Sequence, residues 1–344
     1  MKPTSLDPPF PRRARRVRNA LWVSDHVLGR RLTHRLLGSV RDRTDTTMAD
    51  AVAGLLGRRH PVPDYTGSPE AFVSEVLPRG EPVVLRGAAA RWPAVRQWTP
   101  AFFARTLGDE PVRLLHMNPE DAGSGRTDGV DTTIGEALAR LDEGNAAYLR
   151  FVPALVQRPD LRDMLDVPWL SAHRGPLSPP GNLHLFIGGA GTDTGLHSAV
   201  PANLFVQVHG RKRWVIYPPS ASPAFRPPME RAMYFASRFD PDAPDADAFP
   251  EASALPAYEV ELGPGDVLYN PPFWWHKVSN PTVSIGVGFR WFPPHLCFRA
   301  SPTQWLLTYL SVNPPFWVGA QLGLDFTKIF TTRWVRPRVV DDPA

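Results

Sequence analysis

A chain of 344 residues with 43% hydrophobic and 21% charged residues has the composition of an ordinary globular enzyme, long enough for one large core with terminal additions. Its single cysteine, Cys297, excludes an internal disulfide and any cysteine-built zinc or iron–sulfur site, which fits a reducing cytoplasm. The net charge of +4 hides 34 Arg against 4 Lys, the basic excess sits mostly in the first 43 residues with no nucleic-acid-binding motif beside it, and no run of 18 apolar residues is present to span a membrane.

Residues 12 to 43 alternate arginine with Val17, Leu21, Val27, Leu28, Leu32, Leu36 and Val40. The three- and four-residue spacings predict a basic amphipathic helix or helix pair. The plainer expectation is a helix packed on the body of the protein with its arginines in solvent. The alternative is a surface for anionic lipid, an acidic carrier protein or a partner subunit.

Ser68-Pro69-Glu70 opens a helix to about Val76, with a capping serine and a first-turn proline. Glu81 to Arg86 reads as a short buried strand closed by Gly87. Trp92-Pro93 and Trp98-Thr99-Pro100 start a helical stretch through Leu107, Pro111 to His116 is strand-like, and the polar, glycine-containing residues 117–131 read as a mobile loop. A helix over Thr132–Leu141 and a strand over Tyr148–Val152 follow. In the centre, strands are expected at Asn182–Gly188, Thr192–His197, Leu204–Val208, Arg213–Tyr217, Tyr258–Leu262, Val267–Tyr269, His276–Ser279 and Val283–Trp291. Pro218 to Pro256 is a long Pro- and Asp-rich excursion among them. Short strands separated by turn chemistry mean a mostly β sandwich or barrel. Thr303–Val312 and Val318–Phe330 read as apolar helices, and Trp305, Leu306, Leu310, Phe316, Trp317 and Leu322 are expected to form a homodimer interface or to pack on the barrel. The chain thus divides into a basic helical extension (1–64), a central domain (65–296) and a C-terminal helical extension (297–344).

His197 and His276 each close a strand signal about 80 residues apart, and a barrel can bring such strands together. Imidazole suits iron, copper, nickel or zinc, although a histidine in a strand is more often a core residue. The text around them is more specific. Thr194-Gly-Leu-His197 with Asn203, Gly210-Arg-Lys212-Arg-Trp214 and Tyr217-Pro-Pro219, then Gly263-Pro-Gly-Asp266, Pro271-Pro-Phe-Trp-Trp-His276 and Val278-Ser-Asn280, resemble the JmjC-like cupin family. Pro82-Val-Val-Leu-Arg-Gly87 and Trp92-Pro93 are similar to its N-terminal region, so the likeness covers roughly residues 65 to 294.

That family includes the asparaginyl hydroxylase acting on hypoxia-inducible factor. The resemblance implies a double-stranded β-helix with flanking helices and an enzyme dependent on Fe(II) and 2-oxoglutarate. It also implies that His197 and His276 hold the metal and that Lys212 pairs with the distal carboxylate of 2-oxoglutarate, with hydroxyls from Thr194 and Tyr148. Asn203 falls where the family has an amide on the co-substrate side. Trp274, Trp275 and Trp291 are expected in the core.

The departure is His197-Ser198-Ala199, where the family has His-X-Asp and the aspartate is the third ligand. Ser198 points to the opposite face of a strand, and Asp193 lies roughly 13 Å away along it. Non-haem iron halogenases in another branch resemble this chain in having Ala or Gly there, leaving a position for chloride. Halogenation is therefore the first expectation. A two-histidine hydroxylase and a non-catalytic cupin binding module are the alternatives. The substrate is an amino acid, a peptide or a carrier-tethered small molecule.

Overall fold

Strands of three to eight residues, cut short by Pro and Gly, can bury their apolar faces only by pairing into stacked sheets, and the chain does so twice. The computed structural model describes residues 6–116, 129–142, 147–152, 154–175, 178, 180–227 and 234–310.

Helices α1 (Arg12–Leu28) and α2 (Arg30–Val52) reverse at Gly29, whose φ of 86° suits glycine. Buried charge zips them into a hairpin. Asp25 accepts from Thr33 Oγ1 and from Arg41 Nη2 at 2.7 Å, and Arg18 meets Asp45 at 3.1 Å. Leu21 and Trp22 pack inward, Trp22 edge-on to Phe235. Only this half of the expected apolar stripe is covered: Val27, Leu28, Leu32 and Leu36 stay in solvent.

Strand β1 (Arg59–Pro61) precedes a helix made of α3 (Pro69–Ala71), a π turn over Phe72–Val76, and α4 (Leu77–Arg79), with Ser68 Oγ accepting from Ala71 N. There follow β2 (Val83–Leu85), α5 (Pro93–Gln97) and α6 (Pro100–Leu107), the last capped by Thr99. Next come β3 (Pro111–His116), β4 (Gly129–Thr133), α7 (Ile134–Asp142) and β5 (Ala147–Val152). Strand β4 takes the end of the expected 117–131 loop and the first residues of the expected helix, because Val130 to Thr133 pair with β3. Residues 117–128 lie outside the described residues. Three short helices without a periodic signature, α8 (Ala154–Gln157), α9 (Pro159–Arg162) and α10 (Val167–Ala172), lead to the central strands.

These are β6 (Asn182–Gly188), β7 (Leu196–Ala199), β8 (Ala202–His209), β9 (Lys212–Tyr217), β10 (Tyr234–Ser237), β11 (Ala257–Leu262), β12 (Val267–Asn270), β13 (Trp275–Ser279) and β14 (Ser284–Trp291). Two differ from expectation. β7 begins at Leu196, not Thr192, because Gly191 and Gly195 take φ of 79° and 60° and Asp193 Oδ1 accepts from Gly195 N. The excursion after Tyr217 is not without structure: it holds a 3₁₀ turn (Pro219–Phe225), β10 and α11 (Pro250–Ala254).

One sheet runs β1-β11-β9-β13-β7-β10, the other β2-β12-β8-β14-β6-β5-β3-β4. Tyr148, Phe186, Phe205 and Leu268 of the larger sheet and Trp214, Ile216, Val260 and Val278 of the smaller form one core between them. The fold is mostly β with flanking helices, as the sequence resemblance implies for a cupin. Gly265 needs its lack of a side chain: at φ 93°, a Cβ there would sit 2.8 Å from Ala90 Cα. Its neighbour Asp266 accepts from Gly87 N and Arg86, tying β2 to the sheet.

Helices α12 (Pro294–Ala300) and α13 (Pro302–Leu310) close the described chain. Trp305 stacks on Phe292 of its own chain at 5.6 Å, while Leu306 is exposed. Phe316, Trp317, Leu322 and the expected helix 318–330 lie outside the described residues. Among the described residues no helix is long and apolar enough to cross a membrane.

Candidate active site

Antiparallel pairing of β13 with β7 sets His276 directly opposite His197. Cross-strand partners share a face with Cβ atoms about 5 Å apart, and here the ring centroids are 4.2 Å apart with planes at 55°. In each ring Nδ1 faces the carbonyl oxygen two residues back, Gly195 O at 3.1 Å for His197 and Trp274 O at 2.9 Å for His276. A carbonyl acceptor keeps the proton on Nδ1 and leaves the lone pair on Nε2.

Burial opposes protonation of both rings. His197 is held well below the ordinary range by desolvation, then by His276, Arg150 and Arg290. His276 falls to about 4, chiefly through burial, although its bond to Trp274 O works the other way. Both are therefore neutral donors at pH 7. Trp214 stacks on His276 at 5.3 Å and walls the pair.

Ala199 shares the parity of His197 along β7, so its methyl lies on the same face. Its carbonyl accepts from Phe273 N at 2.8 Å, and Phe273 takes a left-handed φ of 62°, strain that the surrounding loop sustains. Ser198 turns outward as expected, donating to Phe273 O and accepting from Gln304 Nε2. Asp193 is spent elsewhere: its carboxylate takes Gly195 N at 2.9 Å and lies 3.3 Å from Lys277 Nζ. Among the described residues no three of His, Cys, Asp and Glu gather at one point.

Lys212 is fully buried on β9. Its Nζ donates to Asn280 Oδ1 at 2.6 Å and to Tyr148 OH at 3.5 Å, with the Tyr148 ring centre 5.2 Å away. Asn280 also receives Ser284 Oγ and donates to Thr192 Oγ1, each at 2.7 Å. Sequence reasoning placed Asn280 in a motif but gave it no role. Burial, with Arg150 nearby, pulls Lys212 down to about 7. Tyr148 and Lys212 are thus brought together. Thr194 is not joined to them, since its hydroxyl accepts from Val278 N at 3.2 Å. Asn203 lies on β8 opposite Arg290 of β14, and a Cβ on Gly288 would meet its Oδ1 at 3.1 Å.

The donor set fits Fe(II) and an elongated dianion. His197 and His276 are direct cross-strand partners, and Lys212 lies four residues along β9 from Ile216, the neighbour of His276, which is about 13 Å. Asn203 Oδ1 and Trp214 Nε1 are buried without a hydrogen-bond partner among the described residues, a cost that a polar guest removes. Trp274 is inside and donates to Gly80 O; Trp275 and Trp291 pack outside the sheets.

A buried lysine with no carboxylate partner among the described residues destabilises the fold while it is charged. The unfolded chain keeps that proton to about 10.4, the folded chain only to about 7. Stability should therefore rise with pH across that window. Lys212→Met should remove most of this rise and gain a few kcal/mol at pH 7 and below. Urea unfolding at pH 6.5 and 9.5 checks it, and an unchanged slope would show that Lys212 does not titrate there.

A family model described as a cupin-like domain matches residues 69–296. Among curated proteins the chain is 28% identical over 229 residues to lysine-specific demethylase 8 of Xenopus tropicalis, covering 64% of this chain and 50% of that protein. It is 29% identical over 228 residues to lysine-specific demethylase JMJ30 of Arabidopsis thaliana, covering 64% and 52%. With human bifunctional peptidase and (3S)-lysyl hydroxylase JMJD7 it shares 27% over 271 residues, 67% of this chain and 83% of that one. The chain thus spans about half the length of the first two relatives.

Proposed function

The chain belongs to the family of cupin-like domains, and from that premise we propose that it is an Fe(II)- and 2-oxoglutarate-dependent enzyme that oxidises carbon–hydrogen bonds, with a small anion, chloride in our reading, standing where Ala199 withholds a carboxylate. The observation that supports it most is the cross-strand imidazole pair, each ring oriented through Nδ1 by a backbone carbonyl.

When bound, iron and 2-oxoglutarate supply an oxidant able to take hydrogen from an unactivated carbon. His197 and His276 would hold the metal through Nε2. Lys212, steadied by Asn280 and Tyr148, would hold the distal carboxylate, and the dianion would restore the proton that burial disfavours. Trp214 shields one side of the histidine pair from water. Arg150 and Arg290, whose fields depress both histidines, are positively charged. That field favours an exogenous anion beside Ala199, and with it halogen transfer.

Hydroxylation is the second reading, favoured by the relatives named as demethylases and a lysyl hydroxylase. Those names also favour a side chain carried by a peptide or protein as the substrate. The test is anaerobic titration with Fe(II) and 2-oxoglutarate, then oxygen with and without chloride and mass spectrometry of candidate peptides. A chlorine mass shift supports the first reading and an oxygen shift the second. Failure to bind Fe(II) at all removes both.

A further inference from the structure

The candidate site does not use the hairpin tip, and among the described residues nothing covers its apolar side chains. From His26 to Arg41 the sequence holds four arginines, two histidines and no acidic residue. Around the Gly29 reversal, Val27, Leu28, Leu32 and Leu36 are 60%, 55%, 46% and 65% exposed, and Arg30, Arg31, His34 and Arg35 are exposed among them. These are four of the ten large exposed apolar side chains among the described residues, gathered within ten positions. Asp25, Thr33 and Arg41 hold the two helices together behind the tip, and none of these four apolar side chains takes part in those bonds. An uncovered cluster of this kind marks a contact surface.

We infer that this tip docks on an anionic lipid surface, with Val27, Leu28, Leu32 and Leu36 entering the headgroup boundary and Arg30, Arg31 and Arg35 meeting lipid phosphates. Charge decides among occupants. A second copy placed tip to tip would oppose cation to cation, and a nucleic acid would leave the aliphatic side chains in water. A bilayer surface satisfies both. The apolar residues flank a turn between two helices, a convex tip, and shallow entry into a fluid boundary suits that shape. The inference is independent of the proposed chemistry.

The test is co-sedimentation of the full chain with vesicles of phosphatidylglycerol mixed with phosphatidylcholine, against phosphatidylcholine alone, at low and raised salt. Binding is expected to the anionic vesicles only, weakening as salt screens the arginines. Leu32→Ser/Leu36→Ser should lower partitioning about tenfold without changing the circular dichroism spectrum, because both side chains are exposed. Val27→Ser/Leu28→Ser, on the other side of Gly29, should do the same if the first variant misfolds. A wild type that stays in solution at low salt overturns the inference. So does equal binding by wild type and both variants, which would mean adsorption through arginine alone. A wild-type dimer in light scattering that the variants lose would assign the tip to a second copy instead.

Discussion

His276→Ala should lower Fe(II) affinity by about 100-fold or more and abolish turnover, since loss of a partner that merely orients a ligand already costs 10–100-fold and here only two protein ligands are proposed. His197→Ala should match it. Structure also sets what else changes. Removing the imidazole leaves Trp274 O without its donor and Trp214 without its stacking partner, a cost of about 1–3 kcal/mol. That cost lowers Tm without explaining lost metal binding. The control is His184→Ala. His184 is a buried histidine on β6 of the other sheet, pushed down to about 3 by burial and Arg290. It should lose stability but keep the metal. Anaerobic calorimetry with Fe(II) on all three variants, beside thermal melts, separates the effects. Wild-type affinity in His276→Ala would end the two-histidine proposal.

What could be read in the chain was local. Ser68 and Thr99 announce their caps within three residues, and the histidine segments carry their motifs in contiguous text. Partnerships closed across the fold were not legible. Asn280 holds Lys212 from 68 positions away, and nothing near either residue says so. β10 was hidden because Tyr234 to Ser237 sits inside a Pro-rich excursion and becomes a strand only by pairing along β7. β7 starts four residues later than expected, because the threonines at 192 and 194 look β-forming until Gly195 turns. The N-terminal stripe shows a different limit. Period 3.6 fixes which residues share a helix face, but whether that face meets protein is decided by where the hairpin ends on the body. Leu21 was reached and Leu32 was not. The carboxylate-free triplet, in contrast, was fully visible, and the folded chain adds only that Asp193 is tied to Gly195 and Lys277.

Ala199→Asp should convert the site more than any other single change. The added carboxylate would lie on the face of β7 that carries His197. Burial alone would raise its pKa, but Arg150 and Arg290, which already disfavour charge on the imidazoles, favour an anion, and bound iron favours it further. It should therefore be ionised when loaded and occupy the position proposed for chloride. Fe(II) affinity should rise, roughly tenfold or more, as a third ligand joins. Chlorinated product should vanish, because a fixed carboxylate both fills the position and repels a second anion. Residual turnover should appear as hydroxylation or as 2-oxoglutarate decarboxylation without product. If the wild type hydroxylates instead, the variant should keep or increase that activity and chloride should leave the wild type unaffected. The measurement is product mass for both proteins with chloride, bromide and neither, together with Fe(II) affinity. Affinity is the deciding number: if it does not move, residue 199 does not face the metal, and the anion cannot stand where the missing carboxylate would have been.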